Sequence, residues 1–129
     1  MTVLALLASS LLFGGMMLYS FGFAPLVFAA LPMDVAGRLL RFAFPHYYIF
    51  IIATAALATL ILLPSDFVSA GLMAATAGVA FFARQILMPM INYFRDRNEN
   101  RNFNRAHFLS VSLNLLQLCA VAAVLIRLN

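Results

Sequence analysis

The sequence predicts an all-α integral membrane protein, a four-helix transmembrane bundle. Three observations carry that expectation. Of 129 residues, 65% are hydrophobic and only 9% are charged, with a mean hydropathy of +1.01; a soluble domain of this length needs far more polar surface to cover itself. Four apolar runs approach or exceed the roughly 20 residues that a helix needs to cross the hydrocarbon core. The charged residues fall between those runs or near their ends, with Arg84 as the exception.

The first run extends from about Val3 to Ala24, with an apolar tail to Leu31. No basic residue precedes it, the first being Arg38, so it reads as a span and not as a cleaved signal. Pro25 and Pro32 are expected to end it and begin a connector. Asp34 is a suitable N-cap for a short helix from Val35 to about Phe44, within which Asp34 and Arg38 are four apart and can pair. Leu39, Leu40, Phe42 and Phe44 make this an interfacial helix between spans one and two. Pro45 opens the second span, about His46 to Leu63, where its missing N–H costs nothing. Pro64, Ser65 and Asp66 form a tight turn. The third span runs from about Val68 to Phe94, and the fourth from about His107 to Ile126. Between them lies a polar loop, 95–105, rich in Arg and Asn. In lipid each backbone group must pair within its own segment, so all four runs read as helices. The alternating short segments of a barrel are absent. The whole chain, 1–129, reads as a single four-span domain, and the two hairpins share no repeat beyond their length.

The eight basic residues are all arginine and face four acids, for a net charge of +4. Beside long apolar runs, this points to topology and lipid headgroups and not to nucleic acid. Arg38 and Arg41 fall in the first connector, and Arg95, Arg97, Arg101 and Arg105 in the third, which lie on one side. The other side has Arg127 and Asp66. The positive-inside rule therefore places the Arg-rich loops in the cytoplasm and both termini outside, in the periplasm if the membrane is a bacterial inner membrane. Tyr47, Tyr48 and Tyr93 are expected in the aromatic belt at the cytoplasmic interface. Ser10 with Gly14, Gly71 with Ala75, and Ala74 with Gly78 predict close helix packing within the bundle. Cys119 has no second cysteine to pair with and reads as a small packing residue.

The residues that bilayer physics makes costly are the candidate site. Arg84 lies about 16 Å from Arg95 along a helix, near mid-membrane, where a charge costs about 3 kcal/mol on insertion scales. It is expected to face the interior and to bond to Gln117, Asn114, a freed carbonyl or a bound ligand. Pro89 removes the hydrogen bond to the Gln85 carbonyl and is expected to kink the helix beside it. Gln85 and Asn92 are seven apart, on one face. His107, Ser110, Asn114 and Gln117 form one polar stripe on the fourth span. Such a stripe is either interhelical hydrogen-bond glue or one wall of a polar pocket. Two histidines on different helices, His46 and His107, lie at similar depth and could ligate a b-type haem axially, with nearby arginines on its propionates. Met88, Pro89 and Met90 offer thioethers for copper but have no second methionine cluster. A zinc site lacks further ligands, and no nucleotide loop, hydrolase elbow or paired-carboxylate motif is present.

Leu12-Phe13-Gly14-Gly15, then Ser20-Phe21, Ala24-Pro25, Ala36-Gly37-Arg38 and Phe44-Pro45 form an ordered set of short motifs. Met88-Pro89, Ile91-Asn92, Arg95-Asp96 and the run of His107, Ser110 and Asn114 continue it. In order and spacing this set resembles the domain-of-unknown-function 4149 family, bacterial relatives of transmembrane protein 205, over nearly the whole chain. The resemblance implies a four-helix membrane domain and no established activity. A looser likeness to the copper-resistance-D and bacterial protoporphyrinogen-oxidase membrane families would favour haem or metal. The chain has no lysine or tryptophan, so the oxidase pattern is not carried over.

Two functions follow. One is a non-enzymatic membrane module that binds a small ligand or lipid through Arg84, Gln85, Asn92, His107, Ser110, Asn114 and Gln117. Such a module could also serve as an accessory subunit beside a membrane-protein partner or in a homo-oligomer. The other is a haem-binding redox protein using His46 and His107.

Overall fold

The computed structural model describes residues 2–128, and these are almost entirely helical. Four helices are long and apolar enough to cross a membrane: α1 (Val3–Ala30), α2 (Met33–Leu62), α3 (Phe67–Asp96) and α4 (Asn100–Leu128). There is no strand among the described residues. The connectors are short, so consecutive helices run antiparallel. Each helix packs on two neighbours, α1 on α2 and α4, and α3 on α2 and α4. Helices α1 and α3 therefore occupy one diagonal of the bundle, and α2 and α4 the other. The outside is apolar: Leu7, Leu11, Leu60, Phe108 and Leu116 are exposed, whereas Tyr47, Tyr48 and Gln117 are buried. Polar groups inside and leucines outside are what lipid requires.

Each core stripe follows helical spacing. In α1 it is Ala5, Ala8, Ser9, Leu12 and Met16. In α2 it continues through Ile51, Ala55, Ala58 and Leu62, and in α3 through Ala70, Met73, Thr76 and Ala80. The small residues bring backbones close. A Cβ on Gly15 would lie 2.6 Å from the Phe50 ring of α2. The other expected small-residue contacts are not made inside the bundle. Ser10, Gly14, Gly71, Ala74, Ala75 and Gly78 are all exposed, and a Cβ on any of these three glycines would meet nothing within 4 Å. The reason is angular, because these residues lie on the helix faces opposite the core stripes.

Of the two prolines expected to end the first helix, Pro32 stands in the connector just past its last residue, Ala30, but Pro25 does not end it. Pro25 lies within α1 and Pro89 within α3. Each is preceded by a wider π-helical turn, Leu18–Phe23 and Ala83–Leu87. There the N–H ahead of the proline reaches five residues back, Ala24 to the Tyr19 carbonyl and Met88 to the Ala83 carbonyl. The proline itself has no N–H to offer the next carbonyl. Two successive carbonyls in each helix thus lose their helical donors, Ser20 and Phe21 in α1, and Arg84 and Gln85 in α3. The device recurs: Gly14 and Gly78, Ser20 and Arg84, and Pro25 and Pro89 are each 64 residues apart. The hairpins do share a pattern, which one matching glycine and one matching proline do not reveal until the π-turns are seen beside them.

The short helix expected ahead of the second span begins at Met33 and does not stop at Pro45; it continues to Leu62 as one helix. Its first turns are held by a small apolar cluster, Val27 of α1 with Ala36 and Leu40. Asp34 is therefore not the N-cap but a first-turn acid, favourable at the positive end of the helix dipole. It forms no ion pair with Arg38 among the described residues; Arg41 instead pairs with Asp96. Most of the expected polar loop 95–105 is helical too. Helix α3 ends in a Schellman turn at Asn98 (φ 57°), with the Glu99 N–H on the Phe94 carbonyl at 2.9 Å and the Asn98 N–H on Arg95 at 3.2 Å. At the other end Asp66 caps α3, accepting from the Ser69 N–H at 3.2 Å. Arg127 of α4 closes on both Asp66 oxygens at 3.2 and 3.0 Å.

Candidate functional site

Three elements meet at mid-bundle. The π-turn of α1 turns Ser20 inward, α2 supplies Tyr47 and Tyr48, and α4 supplies Ser110 and Asn114. The Tyr47 hydroxyl donates to Asn114 Oδ1 at 2.8 Å, and Asn114 Nδ2 donates to Ser20 Oγ at 2.9 Å. Ser20 Oγ lies 3.4 Å from the Tyr47 hydroxyl, and since that hydroxyl's proton goes to Asn114, the serine is left as donor and the ring closes. One turn along, the Tyr48 hydroxyl lies 3.3 Å from Ser110 Oγ. Gln117 is buried and donates to the Thr76 carbonyl of α3 at 2.9 Å. The Tyr19 ring stacks on Tyr47 with centroids 4.0 Å apart. Three members of the α4 stripe thus tie α4 to all three other helices, as interhelical glue.

Tyr47 and Tyr48 are not belt residues. They are 6% and 4% exposed and sit at the midpoint of α2. The second span was expected to start at His46, but the helix begins at Met33, which puts both tyrosines at its middle. Tyr93 is exposed, with the Arg97 guanidinium 5.2 Å from its ring centroid.

The fourth stripe residue, His107, belongs to a different feature. A cavity of about 420 Å³ opens at the arginine-rich end, between α2, α3 and α4. Its polar wall includes Asn92, Arg95, His107 and Ser110, and its apolar wall Leu40, Phe44, Met88 and Ile91. Arg41 also lines it, held by paired 2.9 Å bonds to the two oxygens of Asp96. Arg95 makes no ion pair among the described residues. Its guanidinium packs over Gly37, where a Cβ would collide with it. The His107 ring lies parallel to Phe103, centroids 5.9 Å apart. The size falls within the usual range for a small-molecule site, roughly 300–1,000 Å³.

The remaining expected residues scatter. Arg84 does not meet Gln117 or Asn114; its NH1 donates to Gln85 Oε1 at 2.8 Å, and its Nε is buried with no partner. Gln85 is exposed, and neither residue lines the cavity. His46 lines a separate aromatic groove between α1 and α2, with Tyr19, Phe23, Phe42 and Phe50, and its Nδ1 is 3.1 Å from the Phe42 carbonyl. The two histidines offered as haem ligands therefore face different spaces. No group of three or more metal-ligating His, Cys, Asp or Glu side chains occurs among the described residues. Sequence reasoning missed Ser20, Tyr47, Tyr48 and Thr76 in the network, and Arg41 and Arg95 in the cavity. Only Ser20 carried a signal, its position five residues before a proline inside an apolar run.

Comparison with known proteins returned one match. Neither a curated protein nor a solved structure matches the chain. The profile of one family, described as "Domain of unknown function (DUF4149)", matches residues 7–100. That stretch takes in α1, α2 and α3 with their prolines and π-turns, so the chain belongs to the DUF4149 family of membrane-helical domains.

Proposed function

We propose that the protein is a non-enzymatic membrane module that binds an anionic amphiphile, a lipid held by its headgroup, in the cavity at the arginine-rich end. The observation that carries this reading is the division of that cavity. Arg95, Asn92 and His107 offer a cation and hydrogen-bond donors on one wall, and Phe44, Met88 and Ile91 offer an apolar surface on the other. Arg41 is already neutralised by Asp96, which leaves Arg95 as the cation open to a phosphate. A guanidinium suits phosphate because its forked donors match two oxygens at once. The same reading puts this end on the cytoplasmic side of a bacterial inner membrane, where anionic headgroups are met by arginine.

Native mass spectrometry of the purified protein tests it. Phosphatidylglycerol should remain bound under conditions that strip phosphatidylcholine, and Arg95→Gln should remove that preference. Equal retention of the two lipids by the unaltered protein would end the proposal.

A further inference from the structure

Of all the charges, Arg84 lies nearest to the midpoint of a span. It is between two and three residues from the middle of α3, about 4 Å from the centre of a hydrocarbon core about 30 Å thick. The nearer edge of that core is then about 11 Å away, beyond the roughly 7 Å reach of an extended arginine side chain. Nothing in these four spans neutralises it. The four acids are Asp34 in the first turn of α2, Asp66 capping α3, Asp96 at its end and Glu99 ahead of α4. The guanidinium is half-buried, with Nε enclosed and unpartnered and NH1 drawn to the side chain of exposed Gln85. Gly71, Gly78 and Gln85 recur at seven-residue intervals on the exposed side of α3. A Cβ at either glycine would meet nothing within 4 Å, so a foreign helix could lie close along this side.

We infer that this face of α3 docks a transmembrane helix of a second protein, one that carries an aspartate or glutamate near its midpoint to pair with Arg84. Charge complementarity selects that occupant. A cation at this depth is stable beside a carboxylate, whose own exclusion from lipid is relieved by the same contact. A second copy of this chain cannot supply it, since all four acids lie at helix ends. The site is separate from the cavity at the arginine-rich end, which Arg84 does not line.

The test uses the full-length protein in phosphatidylcholine vesicles, labelled at Cys119, and a synthetic Leu/Ala transmembrane helix with one central Asp. Energy transfer should report association about tenfold tighter than for the same helix with Asn. Arg84→Lys should keep much of the preference, and Arg84→Gln should lose it while remaining folded by circular dichroism. Equal binding of the Asp and Asn helices, or a preference that survives Arg84→Gln, overturns the inference. If replacing part of the phosphatidylcholine with phosphatidylglycerol abolishes the preference, an anionic lipid and not a helix carboxylate satisfies Arg84, and the inference is equally overturned.

Discussion

The Tyr47 hydroxyl reaches Asn114 Oδ1 at 2.8 Å across the diagonal of the bundle, joining two helices whose backbones are not packed on each other. Only a side chain of tyrosine's length, with a donor at its tip, spans that gap from α2. Tyr47→Phe keeps the ring and its stacking on Tyr19 but leaves Asn114 Oδ1 without its donor. The expected cost is about 1–2 kcal/mol, read as reduced resistance to unfolding in detergent. A double-mutant cycle with Asn114→Ala should show coupling of about 0.6 kcal/mol or more, and strict additivity would place the network outside the stabilising core.

Adjacent glycines in α1 should behave in opposite ways. Gly15 faces the Phe50 ring at 2.6 Å from its notional Cβ, and Gly14 faces open space. Gly15→Leu is expected to destabilise by about 1–3 kcal/mol through overpacking. Gly14→Leu should be neutral or slightly stabilising, since leucine favours both helix and lipid contact. Thermal aggregation in detergent compares the two directly.

At the end opposite the arginine-rich one, Asp66 gives a pH signature. Its hydrogen bonds from Arg127 first, and from Ser69, hold its carboxyl well below the usual carboxylate range. A carboxylate lowered on folding adds stability that is complete above its unfolded value, about 3.9, and is lost as pH falls toward the folded value. The difference in melting temperature between the protein and Asp66→Asn should be constant from neutral pH down to that value and shrink below it. A difference that instead grows on acidification would contradict the pairing.

The proposed orientation is checked by labelling. With Cys119 replaced, a cysteine at Asn98 should react with an impermeant maleimide only after the inner membrane is opened, and one at Ser65 should react in intact spheroplasts. Reaction of both from outside would refute the cytoplasmic placement of the arginine-rich end.

The number of spans was legible because hydrophobic length is a one-dimensional property. Each helix had only to be counted against a bilayer thickness, and Val3, Leu62, Phe67 and Leu128 mark limits near those expected. Helix ends at the arginine-rich side were not legible. Pro25 and Pro45 signal a break in local terms, but a π-turn carries α1 past the first, and the segment ahead of the second is held as helix by packing of Ala36 and Leu40 on Val27. The same error displaced Tyr47 and Tyr48 from the interior to the interface. The α4 stripe was visible as a period, but a period does not separate Gln117, whose partner is a backbone carbonyl, from His107, which lines a cavity. Nor does it separate inward from outward glycines, because Gly14 and Gly15 differ only in azimuth.

The two π-turns present different side chains at the same depth. In α1 the position five before the proline is Ser20, and its hydroxyl is absorbed into the ring with Tyr47 and Asn114. At the equivalent place in α3 stands Arg84, with a single neighbouring amide for company. Both helices have surrendered two backbone bonds at the same depth, yet only the first half of the molecule uses the freedom for its own cohesion. The second half leaves a guanidinium with an enclosed, unpartnered Nε beside a π-turn, a polar group that contributes nothing to holding the four helices together.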